Sequence, residues 1–239
     1  MLDPLYEPNA YLNLQIDLNE VREVVQKSKA CKSPGIDELP YEVLKSDSII
    51  ILLHKLFLLV FDTNLIPSIW LKAIICPILK DKNSDPRIPL NYRGISLQCA
   101  TAKIYSAVLN NRLITFLEDN DLLVDEQNGF RGNRSCLDHV FTLNSVIQNR
   151  NSTFVTFIDL QKAFDTVDRE LLYYCLLNNG IDGKFYYNIK TLYTNTQSRV
   201  RLDNINTNWF QCNVGVRQGD NLSPTLFALF INDLHGNKP

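Results

Sequence analysis

The chain has 239 residues and a mass of 27.5 kDa, with 45% hydrophobic and 21% charged residues and a formal charge of −2. This is the balance of a globular protein of one large domain or two small ones, and it excludes a disordered or low-complexity chain and a uniformly basic nucleic-acid coat protein. Six cysteines stand singly at 31, 76, 99, 136, 175 and 212, with no CxxC pair and no histidine at zinc-ligand spacing, so neither a disulfide framework nor structural zinc is expected. No stretch resembles a signal peptide, which predicts an intracellular protein of the cytoplasm or nucleus with free thiols. The glycosylation triplets starting at Asn133, Asn151 and Asn221 then read as chance matches. Ile49 to Phe61 is apolar but short and is interrupted by His54 and Lys55, which predicts a core helix and no membrane span.

In chain order, residues 1–16 carry Pro4 and Pro8 and read as an irregular lead-in. Asp17 and Glu20 have capping-box spacing, and Leu18, Val21 and Val25 give one apolar face to a helix ending near Lys29. Pro34-Gly35 forces a turn beside Lys32, a solvated residue or a phosphate contact. After the 49–65 helix, Ala73 to Lys80 reads as a strand, 81–92 as a loop and Tyr92 to Leu97 as a second extended segment. Tyr105, Leu109, Leu113 and Phe116 recur at helical spacing. Between Lys72 and Arg112 basic residues exceed acidic ones by five, which makes either a phosphate-facing surface or a solvated face. A loop with two glycines, Arg131 and Arg134 precedes a helix at 135–148 whose inner stripe is Leu137, Val140, Phe141, Asn144 and Ile147.

Phe154 to Ile158 is a β-branched and aromatic run that predicts a buried strand, ended by Asp159. A carboxylate there can hold a divalent metal, or can simply start a turn. Asp168 is placed to cap a helix with Leu171, Leu172, Cys175 and Leu176 inward, stopped at Asn179-Gly180. A helix over 184–193 follows, and then a hairpin of 198–202 with 209–214. Gly215 and Gly219 bracket a loop carrying Arg217 and Gln218, a substrate-contact surface or an ordinary helix lead-in. Ser223 and Pro224 begin a helix that is apolar almost all round and must be buried.

Six segments in order, KSPGIDELPYEVLK, WLKAIICPILK, NYRGISL with Lys103, EQNGFRGNRSCLD, FIDLQKAFDTVD and GVRQGDNLSPTLFALFINDL, resemble the reverse transcriptase of non-LTR (LINE-type) retrotransposons. The resemblance implies an α+β right-hand polymerase fold: fingers over 1–152 and an incomplete palm over 153–239, an antiparallel sheet packed on helices, with the thumb absent. It implies RNA-directed DNA synthesis, in which a primer 3′-hydroxyl attacks an incoming deoxynucleoside triphosphate. The partners it implies are an RNA template and a DNA primer, with no membrane.

Carried over residue by residue, Asp159 is the first catalytic and metal-binding aspartate, with the Leu160 carbonyl beside it on the metal. Phe164 is the residue that excludes a ribose 2′-hydroxyl. Gln218 and Gly219 pack on the incoming nucleotide, and Lys80 and Arg93 clamp its triphosphate. The implied cofactor is Mg2+ at a two-ion site. Two departures stand out. Glu38 occupies the second glycine position of a Gly-Asp-Gly-like turn, and the Tyr-x-Asp-Asp motif expected after the 223–235 helix is not reached by Pro239. One carboxylate ligand of the two-ion site is therefore expected here, in a fragment inactive on its own. The alternatives are a non-enzymatic nucleic-acid-binding remnant or a non-functional relic.

Overall fold

The structure is a computed structural model that describes residues 8–30, 32–150, 152–203 and 205–235; Cys31, Asn151 and the first seven residues of the lead-in lie outside them. Along the chain come α1 (Ala10–Asn13), α2 (Leu18–Lys27), α3 (Tyr41–Leu44), α4 (Asp47–Thr63), β1 (Lys72–Leu79), β2 (Tyr92–Leu97), α5 (Ala100–Asp119), α6 (Cys136–Gln148) and α7 (Arg169–Asn178). Then follow α8 (Gly183–Tyr193), β3 (Gln197–Leu202), β4 (Ile205–Asn206), β5 (Phe210–Gln211) and α9 (Ser223–Phe230). The architecture is mixed α+β. The sheet has the order β2-β1-β3-β4, with β5 also on β3.

The N-terminal helices form because their ends are satisfied and their apolar faces meet. Asp17 and Glu20 close the expected capping box on α2. Glu20 also meets the buried Arg112 of α5 with two bonds of 2.7 Å, and the same guanidinium donates to the Gln15 carbonyl at 2.8 Å. One side chain thus ties α5 to the lead-in of α2. Around it α2, α4 and α5 bury Val21, Val25, Phe61, Leu109 and Leu113. Phe57, Trp70 and Tyr105 pack ring against ring, with centroids 5.1 to 6.0 Å apart.

The turn after Pro34 is fastened to the start of α5. A Cβ at Gly35 would run into the Gln98 carbonyl, and Asp37 Oδ2 accepts from the Ala100 N–H at 3.0 Å. Asp37 therefore caps a helix 63 residues downstream, whose own N-cap, Cys99, makes no side-chain cap bond. Burial raises the Asp37 carboxyl above its ordinary value and pushes the Cys99 thiol up to about 12. Glu38 has φ +54°, the left-handed backbone that its glycine-like position predicts.

β1 and β2 pair antiparallel from Ile74↔Leu97 to Leu79↔Tyr92, while β1 and β3 run parallel from Lys72↔Gln197 to Ile75↔Val200. The expected hairpin forms, but its return strand is broken. β4 pairs as Arg201↔Asn206 and β5 as Ser198↔Phe210, so the register slips by one residue between them. That slip is a β-bulge within 207–209. Thr207 marks it, donating its N–H to the Val200 carbonyl while its hydroxyl accepts from the Val200 N–H.

Several expectations are corrected. Residues 152–160 form no strand: Phe154, Phe157 and Ile158 are 100%, 83% and 86% exposed, and among the described residues no backbone hydrogen bond reaches this segment. β-Propensity alone does not hold a strand, because its N–H and C=O groups need a neighbour, and β3 spends its ladder on β1. The inner stripe of α6 faces outward, with Leu137 and Phe141 about three-quarters exposed. Spacing predicts an apolar face but not what covers it. On α7, capped by Asp168 as expected, Leu172 and Leu176 are buried but Leu171 is exposed. α9 is buried as expected, yet Ser223 sits inside the first turn and shares a 3.1 Å hydrogen bond with Tyr193 Oη instead of capping. Part of the lead-in is helical, as α1. The basic excess of 72–112 does not form one surface, since Arg112 is buried on Glu20 and Arg87 pairs with Asp85 at 2.8 Å.

Candidate nucleotide and nucleic-acid site

The loop between β5 and α9 joins segments far apart in sequence. The Ser96 N–H donates to the Gln218 carbonyl at 3.0 Å, which lays the loop along the outer edge of β2. The Val216 N–H donates to the Phe164 carbonyl and the Gly215 N–H to the Val167 carbonyl, both at 2.8 Å. Gly215 (φ +79°) is required by this approach, because a Cβ there would stand 2.7 Å from the Asp165 carbonyl oxygen and 2.8 Å from that of Phe164. Gly219 (φ +106°) sits against β2, with an added Cβ 3.2 Å from the Ser96 carbonyl oxygen.

Two arginines brace this loop. Arg217, which the sequence offered to a substrate, instead donates to the Trp70 and Leu71 carbonyls at 2.9 Å each. Arg169 is buried and, among the described residues, has no carboxylate partner. Its guanidinium donates to the carbonyls of Gly215 (2.9 Å), Tyr193 (2.5 Å) and Val214 (3.2 Å), and lies 5.5 Å from the Tyr193 ring centre. Burial lowers its pKa from the ordinary arginine value. Sequence reasoning missed Arg169: a cation after a helix cap normally reads as solvated.

Lys80 and Arg93 meet at the tip of the β1–β2 hairpin. Ile78 is opposite Arg93, and the Lys80 N–H continues the ladder to the Asn91 carbonyl at 2.8 Å. Alternation then places both cations on one face, which Ile95 and Leu97 share further along β2. Both are exposed, and the Lys80 ammonium donates to the Leu90 carbonyl at 3.0 Å. Below the tip this face opens on a groove of about 580 Å³ lined by Ile95, Leu97, Gly219, Asn221, Lys27, Lys29, Lys32 and Lys103, with no carboxylate in its wall. Burial lowers the Lys103 pKa. Lys27 and Lys29 reach the groove only through the way α2 ends beside β2, and the sequence carried no sign of it.

On the other face a cavity of about 240 Å³ is lined by Ile75, Gly94, Ser96, Ser198, Asp165 and Gln218. Gln218 and Gly219 thus touch the two faces of the sheet in turn. Phe164 is half-buried, its ring 5.1 Å from Phe227 and 6.0 Å from Phe130. Arg131 and Arg134 are not free either: Arg131 meets Glu118 at 2.6 Å and the Val124 carbonyl at 2.9 Å, and Arg134 meets Asp125 at 2.8 Å.

A sequence profile described as reverse transcriptase (RNA-dependent DNA polymerase) matches residues 79–237, more than half of the chain. The chain belongs to the reverse transcriptase family. It is 29% identical to a probable RNA-directed DNA polymerase from transposon BS of Drosophila melanogaster, over 98% of this chain and 26% of the relative. It is 28% identical to the RNA-directed DNA polymerase from mobile element jockey of the same species, over 94% of the chain and 25% of the relative. It is 26% identical to a Pol polyprotein from the type-2 retrotransposable element R2DM, over 84% of the chain. These names are those of non-LTR elements, as the six motifs imply, and the reverse transcriptase chain spans about a quarter of the length of the first two relatives.

The described residues do not fit a two-ion magnesium site. Asp159 is exposed on the unpaired 152–160 segment, beside the half-exposed Leu160, and among the described residues no three histidine, cysteine or carboxylate side chains gather to hold an ion. Among the described residues no helix is long and apolar enough to cross a membrane.

Proposed function

We propose that this chain is the part of a non-LTR retrotransposon reverse transcriptase that binds the incoming deoxynucleotide and the template, with fingers over 1–152 and part of the palm from 153 onward. The observation that carries this reading is the convergence of separate motifs at the edge of β2. Gln218 is hydrogen-bonded to Ser96, Val216 to Phe164, and the Lys80–Arg93 pair shares a face with the lysine-lined groove beside Gly219.

In this reading Lys80 and Arg93 neutralise the triphosphate, and Gln218 with Gly219 packs against the nucleotide. Phe164 meets the sugar, and the lysine groove follows template phosphates. Asp159 and the Leu160 carbonyl, both oxygen acceptors, would meet the reacting phosphate only through a bound divalent cation. Phosphoryl transfer asks mainly for positioning and charge neutralisation, which a rigid glycine-dependent loop and a basic hairpin tip supply. The test is equilibrium binding of fluorescent deoxy- and ribonucleoside triphosphates to the full chain. Lys80→Ala and Arg93→Ala should each weaken binding by about 10-fold, and Phe164→Ala should narrow the preference for the deoxy form. Unchanged binding in both cation variants would remove the nucleotide-pocket assignment.

A second reading, nucleic-acid binding without catalysis, is favoured by one observation: among the described residues no three ligating side chains gather, at Asp159 or elsewhere, while lysines line the groove beside Gly219. Primer extension on an RNA template separates the two. Incorporation equal to that of Asp159→Asn supports the binding module, and incorporation above it supports the enzyme.

A further inference from the structure

We propose a second nucleic-acid contact, built on Trp209 at the β3 side of the sheet, that takes single-stranded nucleic acid. Trp209 is half-buried, and two cations are turned onto its ring: the Lys72 ammonium lies 5.2 Å and the Arg199 guanidinium 4.8 Å from the ring centre. The register explains the arrangement. In the register of β4, Trp209 would stand opposite Ser198; after the bulge it follows the register of β5 and stands opposite Arg199. A one-residue slip moves a side chain to the other face of the sheet, so the bulge delivers the indole to the face of Lys72 and Arg199.

The electrostatics point the same way. Arg201, two residues along β3, shares that face, and its Nε donates to the neutral Asn206 amide oxygen at 3.4 Å. Among the described residues no carboxylate pairs with Lys72, Arg199 or Arg201. Among them Arg199 Nε is also buried without a hydrogen-bond partner, a donor left over after the ring contact is made. An indole with cations on its ring and no counter-charge offers a base a stacking surface and a phosphate its donors. An acidic peptide would use the charges but leave the indole unexplained. The site is separate from the Lys80–Arg93 tip, which lies at the other end of β1.

The chain carries its own reporter, because it has two tryptophans and Trp70 is only 2% exposed. The full chain is titrated with a short oligouridylate, with oligothymidylate and with polyglutamate while tryptophan emission is read. Saturable quenching by either nucleic acid and none by polyglutamate supports the contact. Read instead by the fluorescence anisotropy of a dye-labelled oligouridylate, Trp209→Ala should weaken binding about 10-fold, whereas Trp209→Phe, which keeps a ring, stays near wild type. The Lys72→Gln, Arg199→Gln pair should lower the salt slope by about 1.4. Lys80→Ala and Arg93→Ala should leave the quenching unchanged, so failure of the nucleotide pocket and failure of this contact read out separately. No quenching, equal quenching by polyglutamate, or loss of quenching in Lys80→Ala would each overturn the proposal.

Discussion

The Val216 N–H donates to the Phe164 carbonyl at 2.8 Å, locking the glycine loop before α9 to the segment that precedes α7. The two most informative sequence motifs thus share one hydrogen bond, and the glycine beside it makes the approach possible. Gly215→Ala should cost about 2 kcal/mol or more, because the new methyl meets two backbone carbonyls at a positive φ. Urea denaturation measures the loss. Gly180→Ala, also at positive φ but with open space around it, should cost less.

Arg169 satisfies carbonyls from two segments that would otherwise be buried without donors. Arg169→Ala should destabilise the chain by about 3 kcal/mol or more. Arg169→Lys should recover only part of this, since an ammonium cannot span the Gly215, Tyr193 and Val214 carbonyls as a planar guanidinium does. A midpoint shift in chemical denaturation that is equal for both variants would contradict the bracing role.

Burial raises the Asp37 carboxyl above its ordinary value. The folded state then holds its proton more tightly than the unfolded state, so this group's contribution to stability is largest in acid and is lost as pH rises through the folded pKa. Asp37→Asn keeps an acceptor for the Ala100 N–H and removes the titration. The melting temperature of Asp37→Asn minus that of wild type should therefore increase as pH rises from below the ordinary carboxyl value of 3.8 through the raised folded value. A flat or falling difference would show that the carboxylate is not penalised by burial.

Glu38 holds a left-handed φ of +54° in the turn that Gly35 and Asp37 anchor. Glu38→Gly should raise stability by about 1 kcal/mol, the relief of the Cβ strain outweighing the entropy of a freer unfolded chain. Thermal and urea midpoints should rise together.

Phe157 and Ile158 face solvent in an unpaired segment, near the limit of what a soluble surface tolerates. Phe157→Lys with Ile158→Lys should reduce dye binding and concentration-dependent light scattering while leaving the melting temperature within about 1 °C. A large fall in melting temperature would mean that this segment is buried in solution.

Much of the chain was legible because the signals are local. The capping box of Asp17 and Glu20, the β1–β2 strands on either side of a proline-rich loop, the Asn179-Gly180 stop and the burial of α9 follow from periodicity, caps and turns acting over a few residues. What misled was of another kind. Residues 154–158 have strand propensity and α6 has a helical apolar stripe, but propensity and pattern name a surface without naming its partner. Arg217 looked free to meet a substrate, because a sequence does not reveal which carbonyls a long side chain reaches.

The sequence by itself determined the family and much of the order of the elements, since motif spacing and local backbone chemistry are written along one dimension. Only the tertiary structure decided which motifs touch. Gln218 reaches Ser96 and Val216 reaches Phe164, Arg169 braces the loop, and the bulge turns Trp209 onto Arg199. Among the described residues it also gathered no three ligating side chains around Asp159. The physical reason is common to all of these: a hydrogen bond between distant backbone groups or a one-residue shift in register depends on how whole elements pack, and no local preference encodes it.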